Sequence, residues 1–216
     1  MWFHIQLKFS KKLSNMTENE IAFCRENGHD LELASLIRSK TDNPIMPLPQ
    51  VNDTLIDTKM GFCSELDVDG VICDDSALAL KKQAAQKGYL VFVFDGDFAE
   101  DDEGNSTPYH HLAVLKGTDE LDIIRWRQSD GCNYDIFADD IIAKLAKWRI
   151  NNKLVVMGAG MDWVRFKFET LPNDMDAFAE ELYEFCCDIV DQGTGTVTAL
   201  KEEIVSTEGN VFLWWD

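Results

Sequence analysis

Apolar and polar residues alternate along this chain with two different periods, and each change of period marks a new element. Trp2, His4, Gln6 and Lys8 alternate with Phe3, Ile5, Leu7 and Phe9, which predicts a strand over 2–9. Thr17-Glu18-Asn19-Glu20 reads as a capping box, opening a short helix through Ile21, Phe23 and Cys24 that ends near Gly28. A second helix, from Asp30 to Lys40, carries Leu31, Leu33, Ala34, Leu36 and Ile37. Residues 41–57 hold three prolines and no period, so they predict a loop or linker. That places a boundary between an N-terminal elaboration at 1–57 and a main domain at 58–216. Met16 is a second candidate start, which would make residues 1–15 an extension.

Past the linker, residues 60–75 read as irregular and acidic, with Gly61–Glu65 too polar for a central strand. Ala77, Leu80 and Ala84 predict a helix over about 76–87, stopped at Gly88. Tyr89–Phe94 is a continuous apolar run, the pattern of a buried strand. An acidic loop separates it from a strand at 110–116, and Leu121–Arg127 reads as a third strand, in a hairpin with the second. A helix over about 137–149 turns Ile141, Ile142, Leu145 and Trp148 inward, and strands follow at 153–157 and 163–168.

The closing stretch, Asp174–Asp216, reads as helix, turn, helix, strand. Phe178, Leu182, Phe185 and Ile189 form one helical stripe, and Asp191-Gln192-Gly193 stops it, with Gly193 suited to a left-handed cap. Thr194 or Thr196 opens the next helix, with Val197, Leu200, Ile204 and Val205 aligned. Val211–Trp215 is then a strand with one tryptophan inward and one outward. Hairpins joined to helices give an α+β fold, a mainly antiparallel sheet with helices packed against it.

Charge narrows the partners. Thirty-nine acidic residues against twenty basic ones leave a net charge of −19. Affinity for nucleic acid comes largely from Lys and Arg on phosphates, so nucleic acid is a poor match, as is an anionic membrane surface. A basic protein is the partner this charge suits. The six cysteines form no C-x-x-C pair, and Cys186 and Cys187 point apart on a helix, so reduced thiols and no zinc site are expected. The first nine residues are interrupted by His4, Gln6 and Lys8, unlike a signal peptide or a membrane span, so the expected compartment is the cytoplasm.

Candidate chemistry is sparse. Asp67-Val68-Asp69-Gly70-Val71 resembles the first motif of haloacid-dehalogenase-type phosphatases, which needs a nucleophilic and an acid–base aspartate around Mg²⁺. The hairpins that follow do not fit the parallel sheet which that chemistry requires. The same segment nearly makes a calcium loop, but Ser76 stands where a bidentate Glu is wanted. Asp95-Gly96-Asp97, with Glu100 to Glu103 beyond, could gather a divalent ion and reads more simply as a solvated loop. Gly158-Ala159-Gly160 lacks the third glycine and the helix of a dinucleotide turn. His110 and His111 face opposite sides of a strand. Two polar groups remain as candidate binding sites: Asp130 with Asn133 and Tyr134, and Asp188 with Asp191 and Gln192. Capping is the structural reading of both, with Asp135 opening the helix that follows.

Three segments, NYDIFADDIIAKLAKW, GAGMDWVRFKFETLP and FAEELYEFCCDIVDQGTGTVTALKEEI, with the closing FLWWD, resemble an uncharacterised bacterial family, domain-of-unknown-function family 4253. The resemblance runs from about Gly88 to Asp216. The family has proline where this chain has Cys187, which implies a helix that runs one turn further here. It tends to have threonine at the position of Ser129. The resemblance implies the α+β fold and no particular mechanism or cofactor.

Two functions are compatible with these readings. One is a non-catalytic acidic interaction protein, such as an immunity or antitoxin protein that covers a basic toxin domain. The other is a divalent-metal-dependent hydrolase built on Asp67/Asp69 or Asp95/Asp97.

Overall fold

A computed structural model describes residues 15–51, 57–66, 75–100 and 106–216, and the side chains of these except at 75–77, 96–100 and 106–109. The strand predicted at 2–9 and the aspartates Asp67 and Asp69 lie outside the described residues. The chain divides into two compact units, Met1–Thr118 and Asp119–Asp216.

In the first unit, α1 (Glu18–Glu26) begins at the predicted capping box. Thr17 Oγ1 accepts from the Glu20 amide at 3.3 Å, and the Glu20 carboxylate accepts from the Thr17 amide at 2.7 Å. Glu20 is 4% exposed because it also accepts from the Ile45 amide at 2.8 Å and pairs with Arg38 Nε at 2.8 Å. One carboxylate thus ties α1 to the end of α2 (Leu31–Arg38) and to the proline-bearing segment. The described part of that segment, residues 41–51, is a loop as predicted apart from the two residues of β1 (Met46–Pro47), and it buries Ile45, Leu48 and Val51.

Gly61–Glu65 is a strand, β2, paired antiparallel with β1 on one side and with β4 (Ser106–Lys116) on the other. This corrects the reading of Gly61–Glu65 as too polar for a central strand, while 67–74 lie outside the described residues. Polarity does not exclude Ser64 from the interior, because its hydroxyl donates to the Asn43 carbonyl at 2.7 Å. β3 (Tyr89–Glu100) pairs antiparallel with β4 from Tyr89↔Lys116 to Glu100↔Ser106, with an offset between Asp95 and Phe98. The hairpin extends beyond the apolar runs at 89–94 and 110–116 because ladder hydrogen bonds come from the backbone and do not require apolar side chains. α3 (Asp75–Ala85) buries Leu80 and Ala84 in a core shared with Leu33, Ile37, Phe62, Val91 and Val114.

In the second unit, β5 (Leu154–Ala159), β6 (Trp163–Phe168) and β7 (Asn210–Trp214) form antiparallel pairs in that order. Leu121–Arg127 is not the third strand of a hairpin: it contains α4 (Asp122–Arg127). β4 is already paired on both edges, to β2 and to β3, so no edge is left for it. The segment instead closes a helical turn, with the Asp119 carboxylate accepting from the Leu121 amide at 3.1 Å and Asp122 pairing with Arg125 at 2.6 Å. Asp119 also receives Arg149, and these hydrogen bonds hold its carboxyl below the usual range.

α5 (Ala138–Trp148) buries Ile141, Leu145 and Trp148. Its opening is set by Asp140, whose carboxylate accepts from the Phe137 amide at 3.0 Å; Asp135, expected there, sits instead at φ +55° in the turn before it. α6 (Met175–Phe185) and α7 (Val197–Ser206) follow, with Phe178, Leu182, Leu200 and Ile204 buried and Val205 turned to solvent. Trp148, Phe166, Phe168, Phe178, Phe185 and Trp215 interlock through ring pairs at 5.3–5.9 Å, several edge to face. Both units are α+β with antiparallel strands. Among the described residues no helix is long and apolar enough to cross a membrane.

Candidate functional site

The two polar groups found in the sequence meet through Tyr134 and Asp188. α6 ends at Phe185, because Cys186 takes an extended conformation (φ −145°, ψ 85°). The helix does not run past Cys187, as the missing proline implied; a six-residue π turn, Ile189–Thr194, follows the break. Asp188 therefore faces inward and is 3% exposed. Its Oδ1 accepts from the Tyr134 hydroxyl at 2.6 Å and from Gln192 Nε2 at 3.1 Å, and its Oδ2 accepts from the Asp216 amide at 2.9 Å.

Tyr134 reaches Asp188 from a short 3₁₀ turn, Cys132–Tyr134, that is braced at several points. Ser129, wholly buried, donates to the Gly160 carbonyl at 2.6 Å, and the Asp130 amide donates to the Met161 carbonyl at 2.8 Å. Asp130 Oδ1 accepts from the Cys132 amide at 3.3 Å, and Asn133 is exposed. The loop lies so close to Trp215 that a Cβ at Gly131 would sit 2.6 Å from the indole. Cys186 Sγ donates to the Trp214 carbonyl at 2.9 Å, which fastens β7 to the helix end, and the Trp215 amide donates to the Asp162 carbonyl in the β5–β6 turn at 2.9 Å. Asp191 lies outside this knot, on the surface, where it accepts from the Tyr183 hydroxyl at 3.2 Å.

This electrostatic arrangement gives an anchor. Burial raises the Asp188 carboxyl, but the hydrogen bonds from Tyr134, Asp216 and Gln192 outweigh it and hold the group below its ordinary value. The same bond to Asp188 pushes the Tyr134 phenol well above its ordinary range. An ionised carboxylate with three donors and a phenol held protonated by it are poorly placed to accept or deliver protons near neutrality. The Cys186 thiol beside them is pushed up to about 12 by burial.

Tyr134, Asp188 and Gln192 are thus brought together, Asp130 caps the turn that carries Tyr134, Asp191 sits at the margin, and Asn133 faces solvent. Of the carboxylates considered for a metal, Asp95 lies in β3 beside the strand offset, Asp97 is in the same strand with its side chain outside the description, and Asp67 and Asp69 are outside it altogether. Among the described residues no group of three or more His, Cys, Asp or Glu is placed to hold a metal ion. His111 is buried and stacks on Phe94 with ring centroids 4.8 Å apart, which favours its neutral form. The sequence did not reveal the Asp216 amide as a partner of Asp188, since backbone donors leave no residue-type signal. The left-handed cap expected at Gly193 is found two residues on, at Gly195 (φ +76°).

No curated protein and no solved structure matches the chain. A family model described as Domain of unknown function (DUF4253) matches residues 111–216, a span that includes both halves of the Tyr134–Asp188 cluster. The match starts later than Gly88, and over this half of its length the chain belongs to the DUF4253 family.

Proposed function

We propose that the protein is a non-catalytic interaction protein whose C-terminal unit docks a basic protein partner through an acidic helical surface. One observation carries this reading. Residues 119–216 contain 20 acidic and 9 basic residues, a net charge of −11. Seven of those nine cations are already paired within the unit: Arg125, Lys144, Lys147, Arg149, Lys153, Lys167 and Lys201. The excess acid is therefore left on the surface. Glu180 and Glu184 follow one another at i and i+4 on the exposed side of α6, and Glu202 and Glu203 are exposed on α7.

Single surface ion pairs contribute little to stability. A one-signed surface instead attracts an oppositely charged partner and speeds its association in a salt-dependent way. An immunity or antitoxin protein seated on a basic toxin domain is the kind of pairing this surface suits.

The test is capture from a host lysate at low and high salt, using the wild type and the Glu180→Lys/Glu184→Lys double variant, with the captured protein identified and its charge determined. The expected partner is basic, is released by salt and is lost with the double variant. A partner that binds regardless of salt and of the charge reversal would overturn the reading.

A further inference from the structure

On the β6–β7 ladder, Trp163, Arg165 and Lys167 stand opposite Trp214, Phe212 and Asn210. The alternate positions, Val164, Phe166, Val211 and Leu213, are at most 2% exposed, so these six side chains form the outer face. The outer face of an antiparallel sheet is ordinarily polar. Here three of six positions are aromatic, two are cationic and none is acidic, in a unit where acids outnumber bases.

The three rings form a ladder. Phe212, 37% exposed, lies 5.7 Å from Trp163 and 5.4 Å from Trp214 between ring centroids, and the Arg165 guanidinium carbon stands 4.9 Å from the Phe212 centroid. Lys167 follows along β6, 3.8 Å from the carboxylate of Glu208, which is itself 87% exposed. Two glycines make room for the outer rings. A Cβ at Gly160 would lie 1.9 Å from Trp163 Nε1, and one at Gly193 would lie 2.7 Å from Trp214 Cη2. Each indole therefore lies close against glycine backbone, and both reach the Phe212 ring.

We propose that this face binds a small planar aromatic anion, its ring stacked on the Trp163–Phe212–Trp214 ladder and its carboxylate or phosphate at Arg165 and Lys167. Aromatic rings stack offset at centroid distances of about 4.5–7 Å, the spacing already present in the ladder. Side chains two residues apart on a strand are about 6.7 Å apart, so the step from Trp163 to Arg165 is about the length of one ring with its acid group. A planar guanidinium suits carboxylate and phosphate oxygens and tolerates stacking. Size follows from charge. A polyanion would meet the whole acidic surface, whereas a single anionic group, screened beyond about 8 Å at physiological salt, is governed by the two cations beside it.

The full-length chain is titrated with 1-naphthoate, with the uncharged 1-naphthalenemethanol and with oligothymidylates of increasing length, following indole fluorescence. The expected result is saturable binding of naphthoate, stronger than that of the alcohol. Phe212→Ala weakens both by about tenfold, the scale of one lost stacking contact. Arg165→Gln abolishes the preference for the anion and leaves binding of the alcohol in place, and Lys167→Gln repeats the charge test without touching a ring. Thermal unfolding of each variant verifies that it is folded. Absence of saturable binding overturns the proposal, as does equal binding of acid and alcohol, or indifference to all three variants. Oligothymidylate binding that tightens with length overturns it in favour of a nucleic-acid strand.

Discussion

Tyr134 and Asp188 are 54 residues apart in the chain and meet in a 2.6 Å hydrogen bond that joins a surface loop to the junction of the last two helices. Gln192 and the Asp216 amide complete the set of donors on the same carboxylate. Asp188→Ala would leave these donors without their acceptor around a site that is almost closed to water. A loss of about 2 kcal/mol is expected in urea unfolding, with Asp188→Asn intermediate because one amide oxygen can still accept. An unchanged unfolding midpoint for Asp188→Ala would show that the cluster holds nothing in place.

Acid should weaken the fold in two stages. His29 is 6% exposed between Phe23 and Phe62, with its Nε2 against the Thr58 carbonyl at 2.7 Å. Burial, with some help from nearby Lys116, depresses its pKa. A histidine with a depressed folded pKa binds its proton more readily when unfolded, so stability falls as pH drops below about 6.5, by at most about 1.4 kcal/mol per pH unit. Burial depresses His111 as well, and it acts in the same direction. Asp188 enters lower: its stabilisation is full above the unfolded carboxylate value of about 3.9 and is lost as pH falls through its depressed folded value. Unfolding free energies of wild type and His29→Gln from pH 8 to 5 should diverge, the variant having the shallower slope.

The turn after the π segment depends on Gly195, where φ is +76° and nothing crowds the site of a Cβ. Gly195→Ala should cost about 1–2 kcal/mol through backbone strain alone, and Gly195→Asn less, since Asn visits the left-handed region more easily. Gly193→Ala tests a different effect. Its Cβ would press on the Trp214 indole, which is partly exposed and can shift, so the change should appear mainly in tryptophan fluorescence. Equal stability losses for Gly195→Ala and Gly195→Asn would count against the strain argument.

Thiol reactivity should sort by burial. Cys24 is pushed up to about 11, and Cys63 and Cys186 to about 12, chiefly by burial. Cys132 is exposed. Brief iodoacetamide treatment at neutral pH, read by peptide mass spectrometry, should label Cys132 well before Cys24, Cys63 or Cys186. Early labelling of Cys186 would mean that the α6–β7 junction opens readily in solution.

Trp215 is 4% exposed, packs against Phe185 and lies under the loop at Gly131. Trp215→Ala should cost about 3–5 kcal/mol, and deleting 211–216 should abolish cooperative unfolding of residues 119–216 as seen by calorimetry. A truncated chain that kept its transition would mark the aromatic tail as a binding surface rather than part of the core.

The sequence by itself determined the helices and strands whose side chains repeat cleanly. α5, β6 and the start of α1 fall where periodicity and the capping box put them, because those signals come from neighbours within one turn or one pleat. It also determined the family and the acid excess. Tertiary structure decided what depends on distant partners. Gly61–Glu65 is a strand because backbone on both sides pairs with it and a carbonyl across the loop receives Ser64. Leu121–Arg127 turns into a helix because both edges of β4 are taken. Tyr134, Asp188 and Gln192 were each legible as polar residues at element ends, but their union was not. It is made by an extended Cys186, which stops α6 and turns Asp188 inward, and by a backbone amide at Asp216. Such contacts are fixed by where the chain passes in space, and no residue type records them.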